Sequence, residues 1–309
     1  MKLISVLTYC YNEKENIEQL ISAIRDVFKD INYDYEHIII DNNSTDTTVA
    51  IIKKIALNDK KVKLIVNARN FGHIRSPYYG LLQGKGDAVI IMASDLQEPP
   101  SLIPKFIEKW EQGFKMVLAV KNKSNELPLM FIIRKIYYYS LNKFADIKLV
   151  NNCNGFGLYD KKIIDILKTI KDPYPYFRGL ISEIGFEKSL VYYTQLARKR
   201  GITKNNFYTL YDIGMLGLTS NSKLPLRLAT MTGFLASFIS LLIGVLYLIY
   251  KLVFWQRFTL GLAPVIIGLF FFMSVILFFL GILGEYIGFI HMYILNRPLV
   301  IEKERVNFD

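Results

Sequence analysis

Two uncharged apolar runs, Leu228 to Tyr250 and Phe258 to Gly284, limit what this chain can fold into more than any other feature. Each exceeds the roughly 20 residues an α-helix needs to cross the hydrocarbon core of a bilayer. A pair of buried core helices is the alternative, but such helices rarely reach this length without a charge. The reading is therefore two C-terminal spans. Of the 309 residues 52% are hydrophobic, and the excess sits in these runs, since the pattern before about residue 225 is mixed and globular.

Charge sets the expected orientation. The loop between the runs carries Lys251 and Arg257, whereas the flanks carry Lys223 and Arg227 on one side and Arg297, Lys303 and Arg305 on the other. That bias predicts both ends on the cytoplasmic side. The opening "MKLISVLTYCYNE" has no long apolar stretch before polar residues arrive, so no signal peptide is expected ahead of the first strand. Cys10 and Cys153 are the two cysteines, which fits a reducing compartment rather than a disulfide framework. The net charge of +11 reads as attraction to anionic lipid. No zinc spacing, nucleic-acid motif or internal repeat is present, so nucleic acid is not an expected partner.

Up to residue 93 the chain alternates strands with helices. "LISVLTYCYN" is a strand, apolar almost throughout, as expected when both faces are covered. Ile17, Leu20, Ile21, Ile24, Val27 and Phe28 follow at helical spacing. "YEHIIIDNNSTDTT" is a strand that stops at Asp41, "DTTVAIIKKIALND" a helix, "VKLIVNA" a strand, "SPYYGLLQGKG" a helix and "DAVIIMAS" a fourth strand. Such alternation implies an α/β fold with a mostly parallel, Rossmann-like sheet. Beyond it come strand-like "KMVLAV", the basic helix "LMFIIRKIYYYSLNKFA" and "NNCNGFGLYDKKIIDIL". The stretch "NNFYTLYDIGMLGLTSNSKLPLRL", leading into the first run, suits a helix lying in the membrane interface, or an ordinary packing helix. The expected division is a cytoplasmic domain over 1–208, an interfacial segment over 209–226, two spans over 227–288 and a cytoplasmic tail over 289–309.

In parallel sheets ligands bind beyond the carboxyl ends of the strands. Polar clusters stand there: Asn12-Glu13, Asp41-Asn42, Asn70 and Asp95-Gln97. Each could be turn chemistry alone. Four at one edge of one sheet read as a pocket. The last lies in "IIMASDLQEPP", where a buried strand ends on an acid and an amide and two prolines bar a return to the sheet. Asp95 could also simply cap that turn.

The motifs "YNEKENI", "IIIDNNSTDTT", "NFGHIRSPYYGLLQGKGDAVIIMASDLQEPP", "NGFGLYD", "RGLISEIGF" and "RPLVIEKE" occur in this order over nearly the whole chain. In them the chain resembles the membrane-bound family-two glycosyltransferases of the GT-A fold, of the polyprenyl-phosphate sugar synthase type (dolichyl-phosphate mannose synthase, bactoprenol glucosyltransferase). The resemblance implies a GT-A domain followed by two transmembrane helices in a bacterial inner membrane. It implies transfer of a sugar from a nucleotide-sugar donor to polyprenyl phosphate, and a homo-oligomer, a tetramer among the relatives. Tyr11, Glu13, Asp41 and Asn70 would hold the nucleotide sugar. Asp95 would ligate Mg²⁺ or Mn²⁺ across the diphosphate with Gln97 beside it. Arg198 and Lys204 would steady the diphosphate, and Lys121 and Arg134 would receive the acceptor phosphate, with Lys135 adding counter-charge.

Four positions depart from that family pattern. Ala93 replaces the first of two acids, Tyr9 a proline, Asn42 an acid, and Gly157 an arginine. A lone acid can suffice, because Mg²⁺ takes six oxygens and commonly uses one or two carboxylates with substrate phosphates and waters. A phosphomonoester nucleophile, with a second pKa of about 6, is anionic near neutrality and needs no strong general base. Two alternatives stay open. The acceptor could be a hydroxyl of a lipid or lipid-linked sugar, with Asp160 or Glu183 as base. Or the chain could be an inactive assembly protein that kept the fold after losing the acid at 93.

Overall fold

The computed structural model describes residues 1–122, 149–196, 214–217, 224–254 and 262–308. Strand β1 (Leu3–Cys10), helix α1 (Ile17–Lys29), β2 (Asp34–Asp41), α2 (Thr48–Asn58), β3 (Val62–Asn67), α3 (Gly72–Leu81) and β4 (Ala88–Ala93) alternate as their apolar spacing predicts. They are followed by α4 (Ile103–Glu111), β5 (Met116–Lys121), β6 (Gly157–Asp160), α5 (Lys161–Thr169), α6 (Phe177–Glu183) and β7 (Lys188–Tyr193). Two long helices, α7 (Leu224–Val253) and α8 (Leu262–Leu295), precede a last strand, β8 (Glu302–Val306).

Among the described residues the strands form one sheet in the order β7-β5-β6-β4-β1-β2-β3-β8. β1 to β4 are mutually parallel, β6 runs antiparallel to both β4 and β5, and β7 is parallel to β5. Six strands therefore end at one edge, on Cys10, Asp41, Asn67, Ala93, Lys121 and Tyr193. β6 and β8 alone run the other way.

Both faces are covered, which explains the unbroken apolar strands. On one face Leu20, Ile24 and Phe28 of α1 and Ile103, Phe106 and Trp110 of α4 pack on Ile4, Val6, Ile90 and Met92. On the other, Tyr78 and Leu81 of α3 and Ile163, Ile164 and Leu167 of α5 meet Leu7, Ile38, Ile40 and Ile91. Each such side chain contributes on the order of 1.5–3 kcal/mol when fully buried. Gly80 lets α3 lie close to the sheet, since a Cβ there would stand 2.6 Å from Leu7 Cδ1.

Three expectations change. Helix α3 starts at Gly72, ahead of the expected Ser76, and carries Pro77 inside it. Helix α8 continues past the expected end of the second span at 288 to Leu295. The tail is not a free segment, because β8 pairs antiparallel with β3 and lengthens the sheet. Its Lys53–Glu304 ion pair, and the Asn307 amide bonds to the carbonyls of Ala56 and Val62, fasten it to α2 and β3. Of the expected interfacial segment, 209–226, residues 214–217 are described as a helical turn and 224–226 as the start of α7. The basic helix beginning at Leu129 lies outside the described residues.

Stretches Pro225–Leu246 of α7 and Phe271–Leu295 of α8 are long and apolar enough to cross a membrane. Gly233, Gly281 and Gly284, small residues that could let helices approach, have nothing within 4 Å of a notional Cβ in the single chain.

Candidate active site

At the ends of β1, β2 and β3 the loops are laced to one another. Asn12 and Asn43 adopt left-handed backbone, with φ of 55° and 62°. The Asn12 side-chain oxygen accepts the amide of Thr45 at 2.8 Å, and the Asn12 amide donates to Ser44 Oγ at 2.8 Å. The Glu13 amide donates to Thr48 Oγ1 at 2.9 Å, and Asp46 accepts the Thr48 amide at 2.9 Å. Asp41, fully buried, accepts the Ser44 amide at 2.8 Å and the Ser44 hydroxyl, with the Cys10 thiol 3.6 Å away. Burial raises its pKa, and the bonds from Ser44 and Cys10 oppose that rise. Asp41 thus holds the loop from beneath, while half-buried Tyr11 and Glu13 lie on the loop held by this lacing.

Asn42 joins this half to α3. Its amide nitrogen donates to Asn70 Oδ1 at 2.9 Å and to the Gly72 carbonyl at 3.0 Å. Its oxygen accepts from Asn67 Nδ2 at 3.1 Å and from the Phe71 amide at 2.8 Å. Every hydrogen-bonding direction of the side chain is used.

The ends of β4, β5 and β7 carry a different chemistry. Leu96, a bulky residue, is buried with φ of 58°, a conformation that costs energy and clusters at functional turns. It separates Asp95, whose carboxylate accepts the Gln97 amide at 3.2 Å, from Gln97 itself. Glu98 is turned inward and is 3% exposed. One of its oxygens accepts the Ala93 amide at 2.7 Å, and the other accepts from the Asn154 amide nitrogen. Burial pushes its pKa up to about 7; the Asp95 charge adds to that, whereas the two hydrogen bonds and Lys121 oppose it. Burial, with the charges of Glu98 and Asp95, also raises the phenols of Tyr9 and Tyr193. The Tyr193 hydroxyl is buried without a hydrogen-bond partner among the described residues. Asp95, Glu98, Lys121, Asn154, Tyr9 and Tyr193 therefore act on one another at one spot.

That donor set bears on a metal. Among the described residues no three His, Cys, Asp or Glu side chains converge. Asp95 and Gln97 stand on either side of Leu96 in one turn, and Glu98 is turned inward. Such a pair suits a hard cation whose shell a ligand's phosphates complete, and not an ion caged by protein alone.

A cavity of about 190 Å³ lies between α3 and the start of α6, lined by Tyr9, His73, Ile74, Ile91, Asn154 and Arg178 among others. Two larger grooves, of about 440 and 410 Å³, lie elsewhere. The first is between α1 and α2, and the second, with Lys85, Lys161 and Lys168, is at the opposite edge of the sheet. Neither touches the strand ends where ligands of such sheets bind.

Residues 5–167 match the family model described as "Glycosyl transferase family 2". The chain belongs to that family. It is similar to the SfII prophage-derived bactoprenol glucosyl transferase of Shigella flexneri, 33% identical with 97% of each chain covered. It is also similar to the uncharacterized glycosyltransferase YkcC of Bacillus subtilis (strain 168), 33% identical with 99% of this chain and 94% of that one covered. Among solved structures, glucosyl-3-phosphoglycerate synthase from Mycobacterium tuberculosis in complex with phosphoglyceric acid has a TM-score of 0.50. It is 18% identical over 71% of this chain and 78% of that one, and shares the GT-A fold.

Against the family pattern the departures acquire physical reasons. Position 42 needs two donors toward the carbonyl oxygens of Asn70 and Gly72, which a carboxylate lacks. Position 157 lies in β6, where a Cβ would stand 2.2 Å from the Val117 carbonyl oxygen, so no side chain fits there. Although Ala93 has lost its acid, Glu98 brings a carboxylate to that residue's own amide. Tyr9 lines the cavity.

Asp160, a candidate base, is at the far edge of the sheet, at the end of antiparallel β6. It accepts from Trp110 Nε1 at 2.7 Å, Lys115 Nζ at 2.9 Å and the Lys162 amide at 2.9 Å, as the cap of α5. These bonds, opposing burial, hold its pKa low. Glu183 is the last residue of α6. Arg134, Lys135, Arg198 and Lys204 lie outside the described residues. Glu98, Asn154, His73, Arg178 and Tyr193 had no expected role, although "NGFG" and "RGL" flagged their neighbourhoods.

Proposed function

We propose that the protein is an inverting glycosyltransferase that moves a sugar from a nucleotide diphosphate donor to polyprenyl phosphate. The observation carrying this is the Asp95–Glu98 turn, set between the laced loops of β1 to β3 and Lys121 at the end of β5. The bactoprenol glucosyl transferases among the relatives support a polyprenyl acceptor.

Tyr11, Glu13, Asp41 and Asn70 belong to the half that receives the nucleotide, Asp41 by holding the loop. Asp95 and Gln97 would hold Mg²⁺ or Mn²⁺, which when bound supplies Lewis-acid neutralisation of the leaving diphosphate. Arg198 and Lys204 add fixed positive charge to the same group. Lys121 and Arg134 balance the acceptor phosphate, which attacks the anomeric carbon as an anion and so needs no base. The commitment of Asp160 to three donors favours this over a hydroxyl acceptor.

Both long helices are read as spans, with 209–226 at the interface. Pairing of β8 with β3 supports one side of the membrane for both ends, since the chain returns to its own sheet after α8. The Lys and Arg bias supports the cytoplasmic side.

The test uses the full chain in membranes, a panel of labelled nucleotide sugars and undecaprenyl phosphate, with Mn²⁺, Mg²⁺ or chelator. The expected result is one donor giving a mild-acid-labile lipid product, lost in chelator. Absence of transfer from every donor would refute the proposal.

A further inference from the structure

We infer that the cavity between α3 and α6 takes the phosphate head and first prenyl unit of the lipid acceptor, with Arg178 as its cation and His73 as a further hydrogen-bonding group. This rests on the reading above and names residues beyond those expected to meet the acceptor.

Among the described residues the lining carries one arginine and one histidine and no carboxylate, and its remaining walls are largely apolar, from Ile74, Pro77, Ile91 and Phe177. A phosphomonoester on a branched hydrocarbon matches that pairing, because guanidinium binds phosphate oxygens in a planar fork. At about 190 Å³ the cavity is smaller than the roughly 300–1,000 Å³ of pockets that enclose a drug-sized ligand. That size suits a headgroup with a short hydrocarbon unit better than a whole nucleotide sugar.

Position strengthens the assignment. Ile74 and Tyr176 line the cavity and also belong to a cluster with Leu149, Tyr174, Leu216 and Phe289 of α8. Tyr293 of α8 hydrogen-bonds to Asp172. The 34 residues of α8 extend about 51 Å at 1.5 Å each, against a hydrocarbon core of about 30 Å. Composition alone would run the second span to Leu295. Contacts of Phe289 and Tyr293 with the catalytic domain instead put the end of α8 at or beyond the headgroup layer. The cavity wall is thus the surface against which α8 leaves the bilayer. Asn154, which donates to Glu98 in the Asp95 turn, lines the same cavity. A lipid with its tail beside α8 would bring its phosphate toward that turn.

The experiment measures equilibrium binding of farnesyl phosphate, farnesol and inorganic phosphate to the full chain in nanodiscs, for wild type, Arg178→Ala and Arg178→Lys. Thermal unfolding of each variant is followed in parallel. Wild type should bind farnesyl phosphate at least about tenfold tighter than either fragment, as expected for a charge-assisted bond added to apolar burial. Arg178→Ala should lose about tenfold or more, and Arg178→Lys should recover part of it. A benzophenone-bearing farnesyl phosphate should label peptides within 73–91 or 154–178. Unchanged affinity in Arg178→Ala, equal binding of farnesol, no binding by folded wild type, or labelling confined elsewhere would overturn the inference. Sugar transfer is scored separately. Arg178-dependent binding without transfer would sink the proposed function alone. Transfer with an unchanged acceptor KM in Arg178→Ala would sink the cavity alone.

Discussion

The two halves of the sheet's carboxyl edge solve different problems. On the β1–β2–β3 side, Asn12 bonds to Ser44 and Ser44 to Asp41, Thr48 bonds to Glu13 and Asp46, and Asn42 alone makes four hydrogen bonds. On the β4–β5–β7 side, Glu98 is buried with a raised pKa, Leu96 sits in left-handed backbone, and the Tyr193 hydroxyl has no hydrogen-bond partner among the described residues. Apart from the Asn67 side-chain oxygen, buried without a partner among the described residues, that network is satisfied, rigid and suited to recognition of a fixed shape. Strained and partly unmatched groups suit a place where charge moves and ligands complete the arrangement. Recognition and chemistry are thus divided between halves of one edge.

The largest expected effect breaks the chemical half alone. Asp95→Asn should lower kcat/KM for transfer by about a hundredfold to a thousandfold, the scale of losing one charge contact in a transition state. Its thermal midpoint should stay near wild type, since the half-buried side chain accepts the Gln97 amide at 3.2 Å in its own turn, a bond that an Asn oxygen can keep.

Gly157→Ala should cost stability in the β4–β5–β7 half, because β6 ties β4 to β5. The Cβ meets the Val117 carbonyl at 2.2 Å, and overpacking of this kind costs about 1–3 kcal/mol or more. Denaturation in detergent checks it, with Gly233→Ala, which meets nothing within 4 Å, as the neutral control.

Asn42→Asp sharpens the comparison from the recognition side. It removes two donated bonds and turns a carboxylate toward two carbonyl oxygens, at a cost of about 1–3 kcal/mol. Donor KM should rise while kcat for the bound donor changes little, as steady-state kinetics would show.

The smallest effect near neutral pH lies in the sheet beneath the recognition half. His37 is buried on β2, bonded through Nε2 to Thr8 Oγ1, and burial lowers its pKa from 6.5 to about 3. The unfolded chain takes up that proton first, so stability should fall as pH drops from about 6.5 toward 3. The slope from this group is at most about 1.4 kcal/mol per pH unit. His37→Gln should flatten that part of a stability–pH curve.

Much of this was legible in the sequence because it is local. Ile17, Leu20, Ile21, Ile24 and Phe28 are buried on α1 as their spacing predicts, and β2 ends on Asp41. The four polar clusters do stand at one edge, since parallel order follows from alternation. What escaped depends on contacts distant in sequence. Strand β8 reads "EKERV", a charged tail, and becomes a strand only by meeting the open edge of β3. Glu98 looks like one more polar residue of a turn until Asn154 and the Ala93 amide enclose it. Gly157 looks like a lost arginine until the Val117 carbonyl is seen against it. Arg178 sits in "FRGL" with no local sign that Ile74 and Phe289 lie nearby.

Competition between acceptors tests the central claim most directly. With the productive donor, undecaprenyl phosphate and undecaprenol are offered together to the full chain in membranes, and labelled products are separated by acid lability. The account predicts that sugar goes to the phosphate and that the alcohol is neither glycosylated nor strongly inhibitory. An acid-stable glycoside of the alcohol, formed at a comparable rate, would contradict it.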